Sequence, residues 1–412
     1  MGVGCFADSK IFIVYIRGSF KPASGRVAFM RIGMFTDSYR PYTSGVVRSI
    51  ETTARKLIEF GHEVYIFAPS YPVYEKESGV FRFASVRPPI YPEYPIALPF
   101  SLNISKTVKK LSLDVIHVHS PITMGLLGSL CAKRLDIPLV FTYHTMYDEY
   151  VHYLPFAREI SRKAVLRLST NFCNRCDLVI TPTEVIRQIV ADRIEPTVQA
   201  IPTGIEIEEF IAPDRLWLRQ EYGIAADVKI LLHLGRLGKE KNVGFLLKAY
   251  GEISKKHPKT KLVIVGEGPE RQALQEEALQ MGLSDVLFAG KLSRRRVVDS
   301  FAGADLFVFA STTETQGLVL GEAKAAGVPT VAVKALGAAE MVTDGVDGFL
   351  TPLSLELFVA RVDQLLADEG LRLAMAEKAL QEAEKISSTT MAQRILLAYE
   401  DAAKKRKDVS TK

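Results

Sequence analysis

Two carboxylates, Glu314 and Glu322, flank a short glycine-containing segment in the second half of this 412-residue chain. A predicted buried strand over 305–310 ends just before Glu314, and Glu322 falls on the first turns of the helix that follows. Ligands of open α/β sheets bind in the crevice outside the carboxyl ends of the strands. Because an ionised carboxylate only accepts hydrogen bonds, it suits the neighbouring hydroxyls of a ribose or hexose. The segment predicts a sugar-nucleotide site, although a loop acid and a solvated helix acid would show the same pattern.

A basic segment with Gly235, Arg236 and Lys241 follows another predicted buried strand and begins a helix. The unpaired N–H groups and the dipole at the start of a helix favour anions. The planar guanidinium of Arg236 can bind a phosphate bidentately, and Lys241 adds a point charge. The segment predicts a pyrophosphate site, and its alternative interpretation is a solvated basic helix start.

Two further glycine-containing turns connect strands to helices. Gly266 and Gly268 follow the strand near 261–265, and their lack of a Cβ allows a close backbone approach, which fits a wall for a base or ribose. A tight turn without a ligand would have the same sequence. Gly45 joins the first strand to its helix in the other half of the chain.

Histidines end two successive strands of the first half. His117 and His119 share one face of a predicted strand, because side chains alternate along a strand, and His144 ends the next one. We expect His119 to reach the crevice, with a hydrogen-bonded structural histidine as an equally weighted alternative. No acid or cysteine stands at ligand spacing, so the pattern disfavours a metal site.

The elements that must position these residues alternate between short β-branched runs and amphipathic helices. Strands are predicted at 31–36, 62–68, 79–86, 114–119, 137–143, 177–181 and 198–201, and again at 229–235, 261–265, 286–289, 305–309 and 330–333. Such alternation predicts doubly wound parallel sheets. The fold class is therefore α/β, with two Rossmann-like domains at 30–205 and 206–385 that face a cleft.

Composition and chain ends narrow the class of protein. A net charge of +5 is too dilute over this length to indicate nucleic acid, and 48% hydrophobic residues are typical of globular proteins. Four cysteines are too few for a disulfide-stapled secreted protein, so we expect a cytoplasmic chain in which Cys173 and Cys176 pack in the core.

Residues 1–29 are interpreted as a leader or misassigned start that is disordered. Residues 386–412 are expected to form a terminal helix followed by a frayed basic tail from Lys404.

The acid segment, with its interior Gly317, Leu318 and Val319, resembles the Glu-any-seven-Glu signature of retaining family-4 glycosyltransferases of the GT-B fold. The resemblance implies that Glu314 meets the donor hexose and Glu322 the ribose of the nucleotide. It also implies that Arg236 and Lys241 stabilise the leaving group and that His119 lies at the reacting face. Lys291 and Leu292 would belong to the base-binding loop, and Gly45 would lie beside the donor diphosphate. Ser44 stands where the family carries a first glycine. The terminal helix is expected to return to the first domain.

His144 and Tyr147 belong to a segment that resembles the His-Thr-x-Tyr segment of diacylglycerol glucosyltransferases. Bases recur at helical spacing over 158–167, and Lys106, Lys109 and Lys110 form a second basic stretch, which favours an anionic membrane surface. An ordinary core-facing helix with a solvated charged side remains the alternative. An aromatic- and proline-rich segment at 88–100 is expected to form a mobile loop beside the acceptor.

The resemblance thus implies transfer of a hexose from a nucleotide-diphosphate sugar such as UDP-glucose to diacylglycerol, at the cytoplasmic face of the membrane. No Asp-any-Asp triplet occurs, which agrees with a metal-independent site without a cofactor. The rivals are a glycosyltransferase with a soluble sugar or polysaccharide acceptor, a nucleotide-sugar epimerase and a non-catalytic nucleotide-sugar-binding protein. A nicotinamide oxidoreductase ranks last because neither domain opens on Gly-x-Gly-x-x-Gly.

Overall fold

The computed structural model describes residues 28–87, 95–98, 104–146 and 158–410. Within these ranges two open parallel sheets form, each covered by helices on both faces, which is the predicted two-domain α/β fold. Three predictions concern residues outside these ranges. They are the substrate contact of Tyr147, residues 1–27 of the leader predicted over 1–29, and most of the loop predicted over 88–100.

The first sheet has the strand order β3-β2-β1-β6-β7-β8-β9 among the described residues, and all of its strands are parallel. A short antiparallel pair, β4 and β5, lies apart from it. The strands are β1 Arg31–Phe35, β2 Glu63–Pro69, β3 Val80–Phe83, β4 Ser85–Val86, β5 Ile96–Ala97, β6 Val115–Val118, β7 Leu139–Thr142, β8 Leu178–Thr181 and β9 Thr197–Ala200. The helices are α1 Gly45–Glu59, α2 Ile104–Leu111, α3 Thr123–Leu135, α4 Arg158–Cys173 and α5 Glu184–Ala191.

The second sheet has the order β12-β11-β10-β13-β14-β15, again parallel in the described residues. Its strands are β10 Lys229–Leu234, β11 Thr260–Val265, β12 Val286–Gly290, β13 Leu306–Phe309, β14 Thr330–Val333 and β15 Gly348–Thr351. The remaining helices are α6 Trp217–Tyr222, α7 Val243–Lys256, α8 Arg271–Gln280, α9 Arg294–Gly303, α10 Leu318–Ala325, α11 Ala338–Met341, α12 Leu355–Ala367, α13 Glu369–Ala383 and α14 Ser388–Ser410.

Burial on both faces explains why the central strands read as continuous apolar runs. Along β10, Ile230 and Leu232 face one core cluster while Leu231 faces the other. Parallel strands covered by helices on both sides have this composition. In each sheet the strand order reverses beside a central strand, between β1 and β6 and between β10 and β13, and this is where ligands of such sheets bind.

The chain passes between the two sheets twice, and the two passages lie side by side. Ile205 donates its N–H to the Ile386 carbonyl at 2.8 Å and accepts from the Ser388 N–H at 2.8 Å. Gly204 lies so close to Ser388 that a Cβ at position 204 would overlap its backbone. The passages therefore form a paired connection between the sheets.

After the second passage, α14 packs against the first sheet. Met391, Leu396 and Tyr399 are buried in the same cluster as Ile32 and Met34 of β1.

Three features differ from the sequence-based prediction. β15 and α13 were not predicted, because β15 begins on a glycine and has only one β-branched residue, and α13 lacks a continuous apolar face. Residues from Lys404 to Ser410 are helical rather than frayed, and Arg406 donates to Asp136 at 2.8 Å. Among the helices in the described ranges, none combines the length and the apolar character needed to cross a bilayer.

Candidate active site

The starts of α1 and α10 face each other across the two domains. The Ser44 side chain accepts the Val47 N–H at 3.2 Å and begins α1, and a Cβ on Gly45 would lie 3.7 Å from Leu318 Cδ1. Leu318 is the first residue of α10, which begins after Gly317 in the left-handed conformation. The glycine predicted beside the diphosphate and the acid-flanked segment therefore lie at one junction.

Lys241 and Glu314, predicted from separate motifs, form an ion pair at this junction. Lys241 Nζ donates to Glu314 Oε1, and the two side chains are 16% and 18% exposed. The Glu314 carbonyl accepts the Gly337 N–H at 3.0 Å, which holds the loop after β13 in place. A partly buried pair of opposite charges offers a cation for a phosphate and a carboxylate for hydroxyls within one small volume.

The loops after β10 and β11 pack directly against each other. Leu237 donates its N–H to the Glu267 carbonyl at 2.9 Å, and Cβ atoms on Gly266 and Gly268 would overlap the backbones of Gly235 and Leu237. The close approach that these glycines allow is thus made by the neighbouring loop, and their contact with a ligand stays a prediction. Arg236 lies exposed on this packed platform.

His119 lies in a cluster of three histidines at the carboxyl ends of β6 and β7 in the first sheet. Its Nδ1 lies 3.0 Å from His144 Nε2, and its ring centroid lies 4.1 Å from that of His117. Burial lowers the pKa of His119 well below its usual range, and the nearby His117 and His144 lower it further. Burial also lowers the pKa of His144 to about 4. The cluster is therefore neutral near pH 7, and among the described residues the buried His119 Nε2 has no hydrogen-bond partner.

His117 stands behind His119 and is fully bonded. Its Nδ1 lies 2.8 Å from the Tyr399 hydroxyl of α14, and its Nε2 lies 2.7 Å from the Thr142 hydroxyl. His117, on β6, is therefore a structural residue, while His119, one residue after the strand, has a nitrogen without a partner among the described residues.

The segment after Glu314 connects the two domains. Thr315 donates its hydroxyl to the His144 carbonyl at 2.7 Å, and Thr183 donates its hydroxyl to the Thr315 carbonyl at 2.8 Å. The next residue, Gln316, exchanges two hydrogen bonds with the Thr203 backbone at 2.8 and 2.9 Å. These bonds place the Lys241–Glu314 pair beside the histidine cluster.

Glu322 is 8% exposed and bonds to Arg294, a residue that the sequence reasoning missed. Arg294 begins α9 two residues after the predicted base-binding residues Lys291 and Leu292, and this position was the signal that could have indicated it. Lys291 is exposed, whereas Leu292 packs partly buried against the core of the second sheet, as do Leu318 and Val319.

His233 is a second residue that the sequence reasoning missed. It is buried in β10, its Nδ1 donates to the Val308 carbonyl at 3.1 Å, and its Nε2 has no partner among the described residues. Burial lowers its pKa to about 4, and the charge of Lys241 acts in the same direction. Its position beneath the Gly235 loop was not evident because β10 reads simply as a buried strand.

In the part of the chain that the structure describes, no three His, Cys, Asp or Glu side chains come together in a way that could hold a metal ion. Cys173 and Cys176 are buried, and burial raises the pKa of Cys173 to about 12. Both thiols are therefore protonated core groups at neutral pH.

Comparison with known proteins gives matches along most of the chain. Residues 43–209 match the model of Glycosyltransferase Family 4, and residues 214–382 match that of Glycosyl transferases group 1. An alpha-monoglucosyldiacylglycerol synthase of Streptococcus pneumoniae is 33% identical over 90% of this chain and 86% of its own length. An alpha-monoglucosyldiacylglycerol synthase of Acholeplasma laidlawii is 31% identical over 73% of this chain and 80% of its own length. The crystal structure of Anabaena HepE in complex with UDP has a TM-score of 0.73 and 22% identity, covering 90% of this chain and all of that one.

Proposed function

The chain belongs to the family-4 and group-1 glycosyltransferases, and we propose that it transfers glucose from UDP-glucose to a hydroxyl of diacylglycerol with retention of anomeric configuration. The observation that carries the chemistry is the Lys241–Glu314 pair, which lies beside His119 and His144 where the two domains meet. The choice of glucose and of diacylglycerol is supported by the names of the two synthases of Streptococcus and Acholeplasma, and UDP as the nucleotide is part of the proposal.

In the proposed donor complex, Glu314 accepts hydrogen bonds from hydroxyls of the hexose, and Glu322 accepts them from hydroxyls of the ribose. Each carboxylate has two oxygens, so its ion pair with Lys241 or Arg294 leaves lone pairs for a ligand. The base and the diphosphate lie against the loops after the strands of the second sheet and the start of α1. The residues proposed to line these parts are Gly45, Gly235, Gly266, Gly268, Gly317, Lys291 and Leu292.

The departing nucleotide diphosphate requires positive charge. Arg236 and Lys241 supply it, together with the N–H groups at the start of α7, which begins at Val243 beside them. Fixed charges that meet the growing negative charge of the leaving group lower the barrier without reorganisation during the reaction. This arrangement needs no metal ion or other cofactor.

In the reaction itself, the bond from the anomeric carbon to the diphosphate oxygen breaks and a bond to the acceptor oxygen forms on the same face. The hydroxyl proton passes to the departing phosphate, so atoms and charges balance. We assign His119 to the reacting face on the family resemblance; its Nε2 is buried without a partner among the described residues, so a hydrogen bond to a sugar or acceptor hydroxyl requires a movement that uncovers this nitrogen. The low pKa of His119 keeps its imidazole neutral, so it adds no positive charge to those of Arg236 and Lys241.

The acceptor side belongs to the first domain, where His144 and Tyr147 are the proposed contacts. Lys106, Lys109 and Lys110 are exposed on or beside α2, and such a cationic surface is attracted to anionic lipids. We propose that the enzyme acts at the cytoplasmic face of the membrane as a peripheral protein, which this cationic surface supports.

The experiment is turnover of the purified chain with UDP-glucose, UDP-galactose or GDP-mannose, with and without diacylglycerol in anionic liposomes. We expect UDP release from UDP-glucose that depends on the lipid, persists in EDTA and yields an α-linked product by NMR. A Glu314→Gln variant should lose turnover, and Arg236→Ala should lose donor affinity.

Three other results would change the assignment. Release stimulated only by soluble sugars would move the acceptor to that class. Nucleotide release from GDP-mannose alone would identify GDP-mannose, rather than UDP-glucose, as the donor. Nucleotide binding without any release would indicate a non-catalytic sugar-nucleotide-binding protein.

A further inference from the structure

Arg294 donates to two carboxylates that come from different elements. Its Nη1 bonds to Glu322 Oε1 of α10, and its Nε bonds to Glu209 Oε2 at 2.7 Å. The guanidinium also lies 5.7 Å from the centroid of the Phe210 ring, within the range of a cation–π contact. Three contacts in three directions hold the planar group in one orientation.

Glu209 extends this contact to the other domain. It follows the first chain passage, in the short 3₁₀ helix Ile207–Phe210, and accepts from Arg48 Nη2 at 2.7 and 2.8 Å. Arg48 lies in the first turns of α1 and also donates to Glu206 at 3.0 Å. Glu322, Arg294, Glu209 and Arg48 thus form a continuous chain of ion pairs, hereafter the relay, from α10 to α1.

The four side chains are shielded enough from water for their positions to depend on one another. The side chain of Glu322 is 10% exposed, and those of Arg48, Glu209 and Arg294 are 26% to 32% exposed. Removal of one partner from a desolvated pair leaves an uncompensated charge, which costs more than loss of an exposed pair. Although burial opposes it, the carboxylates of Glu322 and Glu209 raise the pKa of Arg294, so its guanidinium stays protonated at any ordinary pH.

Both ends of the relay reach the proposed donor site. At one end Glu322 is the proposed ribose ligand, and its Oε1 is already bonded to Arg294, which leaves Oε2 to accept from a ligand hydroxyl. At the other end, α1 begins at Gly45, which faces Leu318 at the proposed diphosphate site. A change at either end therefore acts on the same bound nucleotide.

We propose that Arg294 is a positioning residue that orients Glu322 for the nucleotide ribose and, through Glu209 and Arg48, couples nucleotide affinity to the contact between the two domains. This inference rests on the proposed function of the site. It assigns roles to three residues that do not themselves have to touch the nucleotide.

The relay requires an arginine at position 294. A guanidinium presents Nε and Nη1 in a fixed fork, and here the two nitrogens bond to different carboxylates. A lysine would keep the charge but has a single ammonium on a flexible chain. Arg294→Lys therefore tests the geometry without leaving Glu322 and Glu209 uncompensated, which protects the fold.

The experiment is calorimetric titration of UDP and 2′-deoxy-UDP into the wild type, Arg294→Lys, Glu209→Gln and Arg48→Lys. The matched control is Asp227→Asn, which removes a carboxylate from an exposed pair with Lys259 at 2.7 Å in the second domain. We expect the wild type to prefer UDP over 2′-deoxy-UDP, because Glu322 binds the ribose hydroxyls. Each relay variant should weaken UDP binding about tenfold and reduce this preference, whereas Asp227→Asn should do neither. The double variant Arg294→Lys/Glu209→Gln should be little weaker than either single variant, because coupled residues are not additive.

In donor kinetics, the relay variants should raise KM for the nucleotide sugar with little change in kcat, since the ribose contact is present in both ground and transition states. Equal loss of affinity for UDP and 2′-deoxy-UDP would overturn the positioning role, because a general structural defect does not discriminate between them. Relay variants that match Asp227→Asn would also overturn it, while wild-type turnover would leave the proposed function intact. If the wild type binds GDP or ADP instead, the same comparison applies to that nucleotide. If it binds none of them, the proposed function and this inference both fail.

Discussion

At the scale of single residues, each of the two carboxylates of the site is paired with a base from a separate element. Lys241 pairs with Glu314, and Arg294 pairs with Glu322. A ligand must therefore compete with internal ion pairs, and it does so best when it carries anionic and hydroxyl groups together. This favours a sugar nucleotide over a simple phosphate or a free sugar.

Lys241 should contribute to the chemical step. We expect Lys241→Ala to lower kcat by about a hundredfold, because removal of one preorganised group that stabilises developing charge costs roughly this much. Lys239→Ala is the matched control, since Lys239 lies exposed in the same 3₁₀ turn. Thermal unfolding of both variants checks the fold. Equal kcat values for Lys241→Ala and the wild type would contradict the role.

His233 should make stability depend on pH in the acid range. Burial lowers its pKa to about 4, below its ordinary value of 6.5, so the unfolded chain binds the proton first as pH falls. The stability from the neutral group is complete above about pH 6.5 and is lost down to about pH 4, at about 1.4 kcal/mol per pH unit.

His233→Asn keeps an N–H for the Val308 carbonyl but removes this titration. Urea unfolding of the variant should therefore show a shallower loss of unfolding free energy between pH 6 and pH 4 than the wild type. The difference at pH 7 reports repacking alone. Parallel curves for the two proteins would show that His233 does not titrate in this window.

At the scale of elements, the donor side is a platform of strand-end loops held together by backbone contacts. Gly235 donates its N–H to the Val265 carbonyl at 3.0 Å, and Gly266 donates its N–H to the Gly290 carbonyl at 2.8 Å. The position of Arg236 and Lys241 therefore depends on the loops after β11 and β12 as well as on their own. A change in one loop should be transmitted to the site.

Gly266→Ala tests this dependence. Gly266 has φ of +138°, and a Cβ there would overlap the Gly235 carbonyl, so alanine adds a steric clash to a strained backbone. Gly282→Ala is the control, because Gly282 has φ of +67° and a Cβ there would have no atom of the described residues within 4 Å beyond its own chain neighbours.

We expect Gly282→Ala to cost about 1 kcal/mol of unfolding free energy and Gly266→Ala at least about 2 kcal/mol more. Only Gly266→Ala should also raise KM for the donor, because only it displaces the Gly235 loop. Denaturant unfolding and donor kinetics measure the two effects. Equal losses for the two variants would show that the loop contact has no special weight.

At the scale of the whole molecule, α14 connects the end of the chain to the histidine cluster. Tyr399 is buried and bonds to His117, which packs against His119. Because α14 follows the paired passages between the sheets, this helix supports the histidine cluster from behind. α14 is thus part of the packing on which the proposed active site depends.

Tyr399→Phe should lower both stability and turnover. Loss of the bond to buried His117 should reduce the unfolding free energy by about 1–3 kcal/mol, and a displaced His119 should lower kcat by about tenfold. Tyr250→Phe is the matched control, since buried Tyr250 donates to the Thr260 carbonyl at 2.9 Å far from the histidines. The control should lose similar stability and keep its kcat. If both variants keep wild-type kcat, α14 plays no part in positioning His119.

Much of this architecture could be read from local patterns. The alternation of apolar runs and amphipathic helices predicted the parallel sheets, and the charged turns after their strands indicated Glu314, Arg236 and Lys241. β15 was not predicted because it begins on a glycine and has only one β-branched residue, Thr351. Arg294 escaped because one arginine at a helix start looks like any solvated base until its partners are known.

The sequence by itself determined which segments form strands and helices and where charge gathers at their ends, because these depend on neighbouring residues. Only the tertiary structure decided which charges and polar groups meet. Lys241 and Glu314 are 73 residues apart, Arg48 and Glu209 161, and His117 and Tyr399 282. Such pairs depend on the strand order of each sheet and on the return of α14, which arise from burial of whole elements. No local period encodes them, and the relay that we propose consists entirely of contacts of this kind.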